Sequence, residues 1–198
     1  ISMTINHDKR IFQTEGAVNQ ISLTFLIEKV SAYLTLPSTS PCFQIILDAL
    51  IRTENNMIPH THLFKPESAE IFLRDYKKNQ VVILPSGWQG HTIGLVIYQN
   101  SLIICNRGEG TDPGKGTKIY VLNHPNSVTK DWIKKLINLE NKLNIKDLNM
   151  ILSEVIDLNS PKIIFPSTPQ KNGNCSYANL KSAIEGILRH CNLRLTLR

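Results

Sequence analysis

The chain has 198 residues, of which 41% are hydrophobic and 19% charged, a composition typical of one globular domain with a full core. No apolar run reaches the roughly 18–20 residues that a membrane-spanning helix needs, so no membrane span is expected. The formal net charge of +6 comes from scattered Lys and Arg residues. This distribution favours a solvated surface, with no nucleic-acid partner expected, and it would suit an acidic protein partner.

The ends of the chain and its cysteines add further expectations. The first residue is Ile1, no secretory signal is visible, and the last residues still alternate as in a strand, so we expect a fragment of a longer protein. The four cysteines are widely spaced and form no CxxC pair. We therefore expect reduced thiols, with no metal site and no cofactor.

Apolar residues at helical spacing predict three helices in the first part of the chain: 15–35, a helix starting after Pro41, and one from Pro66 to Lys78. Short apolar runs then predict strands over 80–84, 91–98, 102–106 and 118–122. A tight turn at 99–101 joins the second and third of these strands, and a glycine-rich loop occupies 108–116.

Helical spacing returns in the last third of the chain. It predicts helices over 129–143 and 147–158 and from Cys175 to about His190, with a short strand at 162–165 and Asn174 as the last N-cap. The whole pattern predicts an α+β fold, in which a central, mainly antiparallel sheet at about 80–122 is flanked by helices. We expect one domain over 1–198, with a helical N-terminal part (1–79) and a catalytic core (80–198).

Cys175 is the strongest candidate for a nucleophile, because a helix N-terminus stabilises the thiolate and its flanking residues are polar rather than apolar. Gln170 would donate its amide to an oxyanion together with the backbone N–H of Cys175, and Gly173 would let that loop approach closely. The cleft would run between the sheet rim near Trp88 and the start of the last helix, with the glycine-rich loop as a flap.

His91 is the candidate base, because it opens a strand after Gly90 at an accessible position. The hairpin joining 91–98 to 102–106 should bring Asn106 close to His91, where it would fix the tautomer of the imidazole. Glu109 or Asp112 in the glycine-rich loop would serve instead if that loop approached the ring.

The order His91, Asn106, Gln170, Cys175 resembles the CE clan of SUMO- and adenovirus-type cysteine proteases, which includes bacterial effectors. The resemblance covers roughly 80–190 and rests on Gly90-His91 before an apolar strand and on Gln170-x-x-Gly173-x-Cys175. It implies a cysteine-protease-like fold with Cys175 as nucleophile, His91 as base, Asn106 as orienting residue, Gln170 as oxyanion donor and Trp88 in the cleft.

The segment from Asn174 to Asn179 also looks like the nucleophile segment of cysteine-protease-like domains of intracellular bacterial pathogens, some of them fused to ankyrin repeats. Ser176 stands where ubiquitin-like proteases usually have Gly, and Thr92 where they usually have an aromatic residue. These departures favour the effector branch of the clan. The resemblance implies a secreted effector that acts in the host cell cytoplasm on a host protein or a ubiquitin-like conjugate.

Three alternatives stay open. Cys42 also begins a helix, and the order Cys42, His91, Asn106 resembles NlpC/P60-type peptidases. A protease-like fold can also serve as a binding module without catalysis. An acyltransferase would use the same acyl-cysteine, although the Lys and Arg residues do not cluster as an activator or coenzyme site would require.

Overall fold

The computed structural model describes residues 4–7, 10–13, 18–36, 41–108, 110, 116–138, 144–166 and 175–195. Its six helices are α1 (Asn19–Leu34), α2 (Cys42–Asn55), α3 (Ser68–Lys77), α4 (Lys130–Ile137), α5 (Ile145–Ser153) and α6 (Cys175–Leu195). Its strands are β1 (Thr4–His7), β2 (Arg10–Gln13), β3 (Val82–Trp88), β4 (His91–Tyr98), β5 (Ser101–Cys105), β6 (Thr117–Val121) and β7 (Ile163–Phe165). The predicted α+β class is confirmed.

The central sheet has five antiparallel strands in the order β3-β4-β5-β6-β7, and β1 pairs with β2 in a separate hairpin. The predicted run at 162–165 is thus the fifth strand of the sheet, and the β1–β2 hairpin was not predicted. Residues 91–97 of β4 are all buried, because helices cover both faces of the sheet.

Helix α6 lies on one face of the sheet, with α1 and α2 packed against it, while α4 and α5 lie on the other face. Two caps explain where the latter helices begin. The Thr129 side chain accepts a hydrogen bond from the N–H of Trp132 at the start of α4, and Asn144 and Asp147 form a capping box at the start of α5. One hydrophobic core runs from the first helix to the last.

Several predicted boundaries were wrong. Strand β3 does not end near residue 84 but continues through Pro85 to Trp88, which an edge strand tolerates because one side of its backbone needs no ladder partner. Helix α4 ends at Ile137, α5 begins at Ile145 and ends at Ser153, and α6 extends to Leu195. The predicted N-cap Asn174 lies outside the described residues.

Candidate functional site

Strand β4 places His91 at the end of the sheet where α6 begins. Trp88 pairs with His91 across the turn that joins β3 to β4, and the two rings contact each other with centroids 4.7 Å apart. At Gly87 a Cβ atom would lie 2.1 Å from the carbonyl oxygen of His91. The backbone at this turn therefore requires glycine. The turn in this way determines the direction in which the imidazole of His91 projects.

Asn106 directly follows β5 and lies beside His91, as the hairpin predicted. Its Oδ1 atom is 2.8 Å from Nε2 of His91, and the contact is buried. The N–H of Gly108 donates to the same Oδ1 at 3.1 Å, which orients the amide with its oxygen toward the ring. The neutral imidazole thus carries its proton on Nε2, and its Nδ1 lone pair is left for another partner.

That partner is Cys175, the first residue of α6. Its Sγ atom accepts a hydrogen bond from the N–H of Thr92 at 3.4 Å and is hydrogen-bonded to the His91 side chain. Burial by itself would raise the pKa of the Cys175 thiol, but the hydrogen bonds from His91 and Thr92 and the charge on the imidazole lower that pKa below its ordinary value. The environment therefore favours the nucleophilic thiolate.

Asn179 holds this arrangement together, and the sequence analysis assigned it no role. Its Nδ2 donates to the carbonyl oxygen of Thr92 at 2.6 Å, and its Oδ1 accepts from the N–H of Arg107 at 2.8 Å. The side chain is fully buried. One residue thus ties α6 to the neighbours of both His91 and Asn106. The available signal was an amide one helical turn after Cys175, on the face of α6 that packs on the sheet.

Cys42, the alternative nucleophile, lies elsewhere. The neighbouring Phe43 stacks on Tyr33 near the end of α1, whereas Ser176 bonds to Ser22 near the beginning of α1 at 3.0 Å. These two points are about 16 Å apart along the helix axis at 1.5 Å per residue. Cys42 is buried at that far end, so the structure unites His91 with Cys175 and not with Cys42.

Other predicted site residues fall outside the described part of the chain. Gln170, Gly173, Glu109 and Asp112 are among them, as is most of the glycine-rich loop.

Cys105 differs from Cys175 in its protonation. Burial raises the pKa of Cys105 to about 12, so this thiol stays protonated, whereas the pKa of Cys175 is lowered. Among the described residues, no three His, Cys, Asp or Glu side chains gather as a metal site would require, and none of the described helices combines the length and apolarity of a membrane span.

The arrangement contains the groups that acyl transfer requires. A thiol with a lowered pKa, an imidazole and an amide that orients the imidazole are the parts of a cysteine nucleophile. The N–H groups of the first turn of a helix have no partners within the helix. The N–H of Cys175 can therefore stabilise an oxyanion that forms at a carbonyl bound to its sulfur.

The fold of this chain is similar to that of a solved Legionella protein. The solved structure of the Legionella effector AnkH matches with a TM-score of 0.75 and 20% identity, which shows a shared fold. The match covers 98% of this chain and 43% of the AnkH chain. No curated protein matches the sequence.

Residues 16–193 match a family described as the Dot/Icm T4SS effector AnkD/LegA15. This match covers nearly the whole chain and agrees with the predicted secreted bacterial effector. The chain therefore belongs to the AnkD/LegA15 family of Dot/Icm type IV secretion effectors, which are translocated into the host cell.

Proposed function

We propose that this chain is a cysteine-dependent hydrolase that cleaves peptide or isopeptide bonds of a host protein through an acyl-enzyme. The single observation that carries the proposal is the contact of Cys175 with an imidazole that Asn106 holds by Nε2. An inert buried cysteine needs neither the imidazole nor the orienting amide. Cys105 illustrates this, since its burial keeps it protonated.

The reaction would begin with the thiolate of Cys175 attacking the carbonyl carbon of the substrate amide. The backbone N–H of Cys175 donates to the resulting oxyanion. The imidazolium of His91 gives its proton to the leaving amine as the C–N bond breaks, which leaves the acyl group on sulfur. His91 then takes a proton from water, the hydroxide attacks the thioester, and the acid product leaves as the C–S bond breaks.

The test is the rate at which iodoacetamide alkylates Cys175 as a function of pH, measured at that residue by mass spectrometry. In the wild type, we expect the midpoint to lie below about 8.5, the pKa of a free cysteine. In His91→Ala the sulfur loses both the hydrogen bond and the charge that favour the thiolate, so the midpoint should move to higher pH. Identical profiles in the two proteins would overturn the proposal.

A second measurement addresses the substrate. Electrophilic probes built on ubiquitin and on ubiquitin-like proteins should form an adduct with the wild type, and Cys175→Ala should form none. Cys42→Ala serves as the matched control. Cys42 lies at the start of α2, beside the end of α1 that is remote from Cys175, so this variant should form the adduct as the wild type does. A chain whose Cys175 reacts neither with these probes nor faster than a free thiol would be a binding module.

A further inference from the structure

A cleft of about 180 Å³ lies between the sheet and α5, on the face opposite α6. Ile93, Ile104 and Tyr120 of three neighbouring strands form its floor, and Leu148 and Leu152 of α5 form its wall. An apolar cavity of about 150 Å³ accommodates a benzene ring. This cleft therefore has room for one aromatic or branched aliphatic side chain.

The cleft borders the nucleophile site through two shared side chains. Trp88 and Asn106 both line it, and both contact His91, through the ring contact and the hydrogen bond to Nε2. An occupant of the cleft would therefore pack against the two side chains that hold the imidazole. Since His91 is also hydrogen-bonded to Cys175, the cleft and the sulfur are linked by two successive side-chain contacts.

Lys118 gives the cleft a charge. It lies on β6 opposite Ile104, is half-buried, and lines the cleft. None of the described residues that line the cleft is acidic. A half-buried cation beside apolar walls favours an anionic group, because its attraction to that group is screened less than it would be in open solvent.

We propose that this cleft is a specificity subsite that binds a large apolar side chain of the substrate, with an acidic residue next to it paired with Lys118. This inference rests on the proposed function, since it names the substrate class of the same site. It adds that the preferred host segment combines an aromatic or branched aliphatic residue with Asp or Glu.

The first experiment uses dipeptidyl vinyl sulfones, which alkylate Cys175, with Ala, Leu or Phe at one position and Asp or Lys at the other, in both orders. In the wild type, the second-order rate constant should be at least about tenfold higher for Leu or Phe than for Ala in one of the orders, as expected for filling an apolar subsite. Asp should be favoured over Lys beside it.

Three variants locate the effect. Lys118→Glu should reverse the preference between Asp and Lys and keep the preference for Leu over Ala. Lys162→Glu is the matched control, an exposed lysine on the neighbouring segment before β7, and should keep both wild-type preferences. Asn149→Trp, at an exposed position of α5 that lines the cleft, should reduce the advantage of Leu and Phe. Each rate is divided by the iodoacetamide rate of the same variant, because that reagent is too small to need the cleft and the ratio removes any change in the thiol itself.

Binding without the thiol separates this inference from the proposed function. The same dipeptides, as plain amides, are titrated into Cys175→Ala and followed by the change in tryptophan fluorescence, since Trp88 lines the cleft and the other tryptophan, Trp132, is buried in the core. Tighter binding of Leu-Asp and Phe-Asp than of Ala-Asp or Leu-Lys supports the subsite even if Cys175 proves inert. Binding that is indifferent to the side chains, or a Lys118→Glu variant that keeps the preference for Asp, overturns it.

Discussion

At the scale of single residues, the state of Cys175 is decided by opposing effects. Burial disfavours the charged thiolate, whereas the donors on His91 and Thr92 and the charge of the imidazole favour it. Each unit of pKa corresponds to about 1.4 kcal/mol between the two protonation states. Because these effects together lower the pKa, the loss of any one donor should raise it and move the thiol toward the protonated form.

Asn106→Ala tests the role of the orienting amide. The variant removes the acceptor for Nε2 of His91, so the ring is no longer held with Nδ1 toward the sulfur. We expect the alkylation rate of Cys175 near pH 6 to fall roughly tenfold, since a rise of one unit in its pKa reduces the thiolate by that factor. Site-resolved alkylation followed by mass spectrometry gives the rate.

Two comparisons make this prediction specific. Asn106→Asp keeps an acceptor for Nε2 and should restore most of the rate. Asn100→Ala, an exposed asparagine in the turn at the opposite end of the same β-hairpin, should behave as the wild type. A full rate in Asn106→Ala would show that the ring does not need Asn106 to face the sulfur.

The sequence could predict the proximity of His91 and Asn106, because two strands joined by a tight turn bring their outer ends together. It could not reveal the role of Asn179, because the partners of that side chain are backbone groups of Thr92 and Arg107, more than 70 positions away. A hydrogen bond to a backbone group does not depend on the residue type of the partner, so the sequence carries no sign of it. The roles assigned to Gln170 and Gly173 fall outside the described residues and stay predictions.

At the scale of secondary-structure elements, the site depends on how closely α6 approaches β4. A Cβ atom at Gly94 would lie 2.7 Å from the backbone carbonyl oxygen of Asn179 and 3.4 Å from Cβ of Ala183. No side chain rotation can relieve the first contact. Glycine at this position therefore sets the distance between the helix that carries Cys175 and the strand that carries His91.

Gly94→Ala should push α6 away from β4. We expect a loss of about 1–3 kcal/mol in the free energy of unfolding, as for other overpacked cores. We also expect the alkylation midpoint of Cys175 to move to higher pH, because the sulfur moves away from its donors on Thr92 and His91. Denaturant titration measures the first effect and the alkylation profile measures the second.

Gly186→Ala is the matched control on the same helix. Its new Cβ would meet methyl groups of Ile103 and Thr117 at 3.1 and 3.5 Å, and side chains can shift where backbone cannot. It lies about three turns beyond Cys175, so its alkylation profile should match that of the wild type. If both variants moved the midpoint equally, general loosening of the core rather than the approach at Gly94 would be responsible.

Element types were predictable where periodicity was strong, and boundaries were not. The short apolar, β-branched runs of β4 and β5 specified strands, and the apolar stripe of α2 specified a helix. The continuation of β3 through Pro85 depends on its place at the sheet edge, which a single sequence does not state. The end of α4 at Ile137 was equally unpredictable, because Asn138 leaves the helical conformation (φ −85°, ψ 68°) although apolar residues at helical spacing continue along the sequence.

At the scale of the whole molecule, the fold is shared even where sequence identity is low. AnkH shares this architecture at 20% identity, because a core of about this size tolerates many substitutions that keep its volume and pattern. Function does not follow from the fold by the same argument. The nucleophile site therefore has to be judged from the contacts of Cys175 and His91 themselves.

The division into a helical part (1–79) and a core (80–198) was drawn from the sequence pattern. We expect the two parts to unfold together. The hydroxyl of Thr53 in α2 donates to the carbonyl oxygen of Ile83 in β3 at 2.7 Å, in a buried position. Leu23 and Ile46 belong to the same hydrophobic cluster as the strands of the sheet. Separation of the parts would expose this surface on both sides.

Two buried thiols report on the two parts separately. Cys42 lies in α2 and Cys105 in β5, and both are protected in the folded chain. Pulse alkylation across a urea titration, resolved by mass spectrometry, should give one midpoint for both thiols, as a two-state transition requires. Exposure of Cys42 at a clearly lower urea concentration than Cys105 would show that the helical part is an independent unit. The Ser22–Ser176 contact would then be a contact between units, and the position of Cys175 would depend on their docking.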